Sequence, residues 1–292
     1  MSEAMKARYF NANTTSMALP AATLILLLLA AGDCAAQSDT SDYEIWRAGL
    51  FGAYQAIDYN ASMTGLPGVP SCCPEYRDGS GTGYALGLSG EVFPLKQFSI
   101  GVHLLYARYD GTLSAEENEL VTSDHDTITA VFGHTISVTL PALATELFVG
   151  YEPLSGLHIV AGARADFMLS GTYQQSEEIL SPSNIRYEND SRQRLQFEGT
   201  IGGEHAVGIG LYTGARYDIP LNRLRSVLLA PEVDLWTGMN NILNTESWKM
   251  RGLRIGLNLC YSMRNGPVVP PPAPVPAPPP PPPHERANTQ GQ

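Results

Sequence analysis

The stretch from Ala206 to Leu235 limits the possible folds of this chain more than any other. Val207, Ile209, Leu211, Ala215, Tyr217 and Ile219 fall on one face of an extended strand. Gly208, Gly210, Gly214, Arg216 and Asp218 fall on the other, because strand side chains alternate with a period of two. Pro220-Leu221-Asn222-Arg223 then reverses the chain. The return strand sets Val227, Leu229, Val233 and Leu235 against Glu232 and Asp234. Glycine weakens a strand and has no use on a face open to water. Charges beside glycines suit the crowded inside of a narrow barrel, with the apolar face turned outward into lipid.

The same alternation recurs along the chain. A first strand runs Tyr43 to Tyr59, with Trp46, Ala48, Leu50 and Tyr54 outward and Arg47 and Gln55 inward. A Gly/Pro-rich loop, Thr64 to Gly81, precedes strands at Thr82 to Phe93 and Phe98 to Tyr109. An acidic loop, Leu113 to Asp126, leads to a fourth strand, Thr135 to Tyr151. There the apolar phase slips between Leu140 and Leu143, with Pro141 at the slip, which predicts a bulge. The fifth strand is Leu157 to Tyr173, followed by a polar loop, Gln174 to Arg194. The opening hairpin supplies the sixth and seventh strands, and Trp248 to Met263 the eighth. Connections alternate long and short, and each short turn contains Pro-Leu. The fold class this predicts is all-β: an eight-stranded antiparallel up-and-down transmembrane β-barrel with its long loops outside the cell.

Composition agrees. Only 16% of residues are charged, and glycine (28) and tyrosine (14) are abundant. A net charge of −11 argues against nucleic acid as a partner. No apolar run reaches the ~20 residues of a spanning helix. Lys6 and Arg8, the apolar run Leu19 to Ala31 and the small residues Cys34 and Ala36 read as a secretory signal. Met17 is an alternative start, and a lipid anchor on Cys34 is disfavoured by Asp33. The division is a signal peptide at 1–36, a barrel at 37–264 and a disordered proline-rich tail at 265–292. Pro267 to Pro283 should form an extended polyproline II spacer in the periplasm, reaching towards an envelope or cell-wall partner.

Signal peptide, alternating strands and Pro/Ala-rich linker together resemble the outer membrane protein A family. The loop around Ser71-Cys72-Cys73-Pro74 looks more like barrels of Bacteroidetes- or Chlorobi-type bacteria. The resemblance implies an integral outer-membrane barrel in contact with lipid. His284 to Gln292 follow the linker in place of the family's usual peptidoglycan-binding domain, so peptidoglycan binding is not carried over.

The inward faces collect Arg47, Glu91, Glu146, Arg164, Asp166, Arg216, Asp218, Glu232, Asp234 and Arg254, with His103 and His158. Buried charges must pair, since an isolated one is very costly. Arg254 is expected to meet Glu232 or Asp234 across the last strand boundary, with Arg164 and Arg216 serving Glu146, Asp166 and Asp218. Six acids against four arginines would also suit a narrow cation-favouring pore. The filled interior is preferred because barrels this narrow are packed with side chains. Asp124-His125-Asp126 lacks the spacing of a calcium loop, and no metal or cofactor is expected. Cys72 and Cys73 could form a vicinal disulfide or pair with another protein. Ser123, His125 and His134 could gather at the rim as in barrel hydrolases, but no nucleophile motif accompanies them and no enzymatic activity is expected. The function expected is envelope structure or surface interaction. The alternatives are a small porin and a soluble lipocalin-like carrier, whose apolar faces would turn inward.

Overall fold

The computed structural model describes residues 43–69, 74–123 and 126–265. The segment expected as a signal peptide, residues 266–292 of the expected proline-rich tail, Cys72, Cys73, Asp124 and His125 lie outside the described residues. The strands are β1 (Tyr43–Met63), β2 (Tyr76–Leu95), β3 (Phe98–Ser123), β4 (Asp126–Leu154), β5 (Leu157–Met168) and β6 (Thr172–Ser181). They continue with β7 (Gln193–Thr200), β8 (Val207–Tyr217), β9 (Ile219–Pro220), β10 (Val227–Gly238) and β11 (Ser247–Asn265).

All pairings are antiparallel. From β1 they run through β2, β3, β4, β5, β8, β10 and β11 and return to β1, so eight strands form a ring. β9 caps the end of β10. β6 pairs with β4 beyond the end of β5, and β7 pairs with β6, so the wall continues upward past the ring. The short turns, residues 96–97, 155–156 and 221–226, mark one end of the ring, the turn end.

Towards the turn end, the outward face is apolar. Leu50, Leu88, Leu147 and Leu257 are each more than half exposed. Aromatic residues bound this belt. Trp46 meets Tyr261 at 6.2 Å and Phe98 meets Tyr151 at 5.0 Å on the turn side. Tyr84 meets Tyr106 at 6.3 Å on the loop side, with Tyr54 beside Tyr84 in register. Phe98 and Tyr106 are eight residues apart, ~26 Å along the strand and ~20 Å along the axis at ~40° tilt. That approaches the ~25 Å apolar band of a membrane barrel.

Beyond the belt the pattern inverts. Ile57, Tyr59, Met63, Tyr76, Leu113, Ile136, Leu140 and Trp248 all point inward and are almost fully buried. Ser80, Thr112 and Ser137 point outward.

This inversion corrects the reading of β4. Alternation is unbroken from Ile136 to Tyr151, and β4 pairs with β3 through Arg108↔Pro141 without a register shift, so there is no bulge. Ile136, Val138 and Leu140 face the core above the belt, and Leu143, Leu147 and Val149 face outward within it. Pro141 sits where the neighbour of β4 changes from β5 to β6. Its carbonyl accepts from the Leu169 N–H, so its missing N–H points to the same interrupted side. A proline costs no ladder bond there.

The other boundary errors share this cause. The segment Leu113 to Asp126, expected as a loop, continues β3 and β4 out to Ser123 and Asp126. The expected loop Gln174 to Arg194 contains most of β6 and the start of β7, and β5 ends at Met168. β1 runs on to Met63 and β2 begins at Tyr76 rather than Thr82. Strands sought by an apolar outward face stop where that face becomes polar, although the hydrogen-bond ladder does not.

Candidate functional site

The ring interior is the most unusual chemistry of the molecule. Every inward charge is placed by the two-residue period of its strand, and strand register sets its nearest neighbours. Arg254 pairs with Asp234 in register, as His103 does with Glu146, and Glu146 with Arg164.

The charges form two layers. Near the turn end, Arg47 donates to Glu91 (2.6 Å) and Asp218 (2.5 Å). Arg216 reaches the same two acids, at 3.1 Å and 3.5 Å. His158 Nε2 lies 3.0 Å from Asp218. In the middle layer Glu146 is the hub and is fully buried. Arg254 bonds both its oxygens, at 2.5 Å and 3.1 Å, and Arg164 bonds one at 3.0 Å. His103 Nδ1 is 2.9 Å from the second oxygen. Arg164 also grips Asp166, whose carboxylate accepts from the Tyr109 hydroxyl at 2.7 Å. Arg254 donates to Asp234 at 2.9 Å and lies 3.9 Å from Glu232. All ten sequence-identified charges thus fall into these two layers.

Aromatic rings fill the space between them. Phe51 stacks on His103 at 4.8 Å, and Phe148 lies 4.9 Å from the same imidazole. Arg254 stands over Phe51 at 5.1 Å and over Tyr212 at 5.5 Å. Such contacts favour a desolvated cation. Two inward glycines make room for these rings. A Cβ on Gly256 would come within 2.9 Å of the Phe51 ring, and one on Gly101 would strike the Phe148 ring. Sequence reasoning located the charges and glycines but not the rings crossing the lumen. Phe51 and Phe148 have inward parity in their strands, which was the available signal.

A second polar group lies above the belt, on β3, β4, β6 and β7. His134 stands between Glu117 (3.7 Å) and Glu177 (3.6 Å). Glu177 also meets Arg194 at 2.9 Å and accepts from the Tyr187 hydroxyl at 2.5 Å. Burial and the adjacent carboxylate raise the Tyr187 phenol above its ordinary value. His134, one of the expected rim residues, is thus placed between carboxylates. Cys260 is buried with a free thiol. Among the described residues no group of three or more His, Cys, Asp or Glu is placed to hold a metal ion, and no helix is long and apolar enough to cross a membrane.

The class these features define is an antiparallel β-barrel with an apolar belt outside and a filled, charged interior. No protein-family model and no curated protein matches the chain. Among solved structures it is similar to the attachment invasion locus protein Ail of Yersinia pestis, at 7% identity and TM-score 0.32, covering 74% of this chain and 98% of that one. It is similar to the outer membrane protease OmpT from Escherichia coli, at 8% identity and TM-score 0.35, covering 78% and 99%. It is also similar to the outer membrane protein OprG from Pseudomonas aeruginosa, at 9% identity and TM-score 0.32, covering 76% and 97%. Likeness this distant says nothing of activity, so the functional argument rests on the chain's own register and burial.

Proposed function

We propose that the chain is an integral bacterial outer-membrane barrel of the outer membrane protein A type, non-enzymatic and non-conducting. It serves envelope structure or surface contact. The observation that carries this reading is the pairing of an outward apolar belt, rimmed by aromatics, with an interior closed by ion pairs and rings. A belt of that kind in water would be a large exposed hydrophobic patch, which soluble monomers avoid. The turn end lies in the periplasm, where the proline-rich sequence Pro267 to Pro283 serves a cell-wall partner. The tall β3–β4 and β6–β7 walls stand outside the cell.

A soluble carrier would need its apolar residues around a cavity, whereas the ring interior within the belt is charged. A porin would need a water-filled path, whereas Glu146, Arg254, Phe51 and Phe148 occupy the axis and the apolar core lies above them. Purified protein should insert into liposomes and give no unitary current in planar bilayers. Cation-selective current steps from the unaltered chain would overturn the filled reading, and failure to insert would overturn the membrane reading.

A further inference from the structure

We propose that the middle charge layer of the lumen binds one monovalent cation, such as sodium, through the Glu232 and Asp234 carboxylates and the Tyr212 hydroxyl. This inference rests on the filled-lumen reading above. The layer's own charges are uneven. Glu146, Asp166, Glu232 and Asp234 bring four negative charges, and Arg164 and Arg254 bring two positive ones. His103, 2.9 Å from Glu146, supplies a third positive charge when both its ring nitrogens carry protons. One negative charge still remains. Geometry assigns it to Glu232, which is 1% exposed and accepts no hydrogen bond from a described residue at either oxygen. Arg254 approaches it only to 3.9 Å, beyond hydrogen-bond reach, and is held by Glu146 and Asp234. Arg216, in register with Glu232, is held by Glu91 at 3.1 Å and Asp218 at 3.5 Å. A carboxylate buried in this way is very costly unless a cation reaches it.

Neighbouring oxygens complete the site. Asp234 follows on the same face of β10, and its carboxylate comes within hydrogen-bonding reach of that of Glu232. Two carboxylates that close repel each other unless a positive charge lies between them. Asp234 Oδ1 and the Tyr212 hydroxyl, both on buried side chains, also make no hydrogen bond with a described residue. Tyr212 stands on β8, the neighbour of β10, and interacts electrostatically with both acids. Gly214, in register with Asp234, permits this arrangement, since a Cβ there would strike Asp234 Oδ1. The unpartnered atoms are all oxygens, which suit a hard cation rather than a soft one. One missing charge calls for one monovalent ion, and a divalent ion would leave the layer overcharged. A proton shared by the two acids would balance the charge but make a single hydrogen bond, leaving one Glu232 oxygen and the Tyr212 hydroxyl without partners.

The test is urea unfolding of the full chain in detergent micelles, with sodium chloride replaced stepwise by N-methylglucamine chloride at constant ionic strength. A cation bound only by the folded barrel raises the folding constant about tenfold for each tenfold rise in sodium above its dissociation constant. Glu232→Gln keeps the shape of the side chain and removes the charge, so its folding constant should not vary with sodium. Tyr212→Phe keeps both acids and removes one ligand, so it should need several-fold more sodium for the same rise, and it serves if Glu232→Gln does not fold. Glu198→Gln, on the outward face above the belt, should keep the parent's sodium dependence. A parent midpoint that ignores sodium, or that follows pH alone, would overturn the proposal. So would either lumen variant with the parent's sodium dependence, or loss of that dependence in Glu198→Gln. Planar-bilayer recording keeps the two readings apart. No sodium dependence and no current would leave a filled barrel without this ion, whereas cation current steps would overturn the filled lumen itself.

Discussion

The barrel below Pro141 and the barrel above it are built inside out relative to each other. Below, Leu143, Leu147 and Val149 face outward and Glu146 faces the axis. Above, Ile136, Val138 and Leu140 face the axis while Ser137 faces outward. One strand serves both halves without changing its alternation. The two halves differ only in what surrounds them. Lipid accepts apolar side chains outside, so the lower lumen can hold charges, provided each finds a partner. Water outside the upper half demands polar groups there, and the apolar residues retreat to the core as in a soluble protein.

The largest effect should come from the hub of the lower half. Glu146→Ala leaves Arg164 and Arg254 buried without their shared carboxylate. Breaking a buried pair in this way costs on the order of 3–5 kcal/mol. Denaturant unfolding in detergent should show it as a large drop in midpoint, and an unchanged midpoint would mean that the middle layer is not a paired network.

A matched pair of substitutions tests the inversion itself. Leu257→Arg places a charge in the middle of the belt, where arginine costs ~2–4 kcal/mol. Ser137→Arg makes the same change on the outward face above the belt and should stay within ~0.5 kcal/mol of the unaltered protein. Unfolding from phospholipid vesicles measures both. Equal costs would erase the boundary drawn between the halves.

The smallest effect concerns Glu204, above the belt in the loop between β7 and β8. Its carboxylate accepts from the Gly171 N–H at 3.2 Å, yet burial outweighs that bond and raises its pKa above the ordinary carboxyl value. The folded protein thus holds this proton more tightly than the unfolded chain. Its contribution to stability is full below the ordinary carboxyl pKa and is lost as pH rises through the raised one. Glu204→Gln should flatten the slope of the unfolding midpoint across that acidic window by a small amount, because the group is partly solvated. A variant with the same slope as the parent would assign the slope to other groups.

The sequence by itself determined the alternation of each strand, the short turns and the set of inward charges. Parity alone decides which side of a strand a residue takes, so Glu91, Arg216 and Arg254 could be sorted without coordinates. The up-and-down order of the strands also fixes neighbours such as Asp234 and Arg254. Where the lipid ends could not be read in the same way. The expected bulge at Pro141 and the expected loops at Leu113 to Asp126 and Gln174 to Arg194 assumed that apolar residues always mark the outer face. Only the tertiary structure decided that the ladder continues beyond the belt with its faces exchanged, because sidedness depends on the medium on each side of the wall. Ring closure likewise brought Arg254 to Glu146, 108 residues away and on a strand that is not its neighbour. No local pattern encodes that bond, since it depends on the width of a lumen that exists only after the first and last strands have joined.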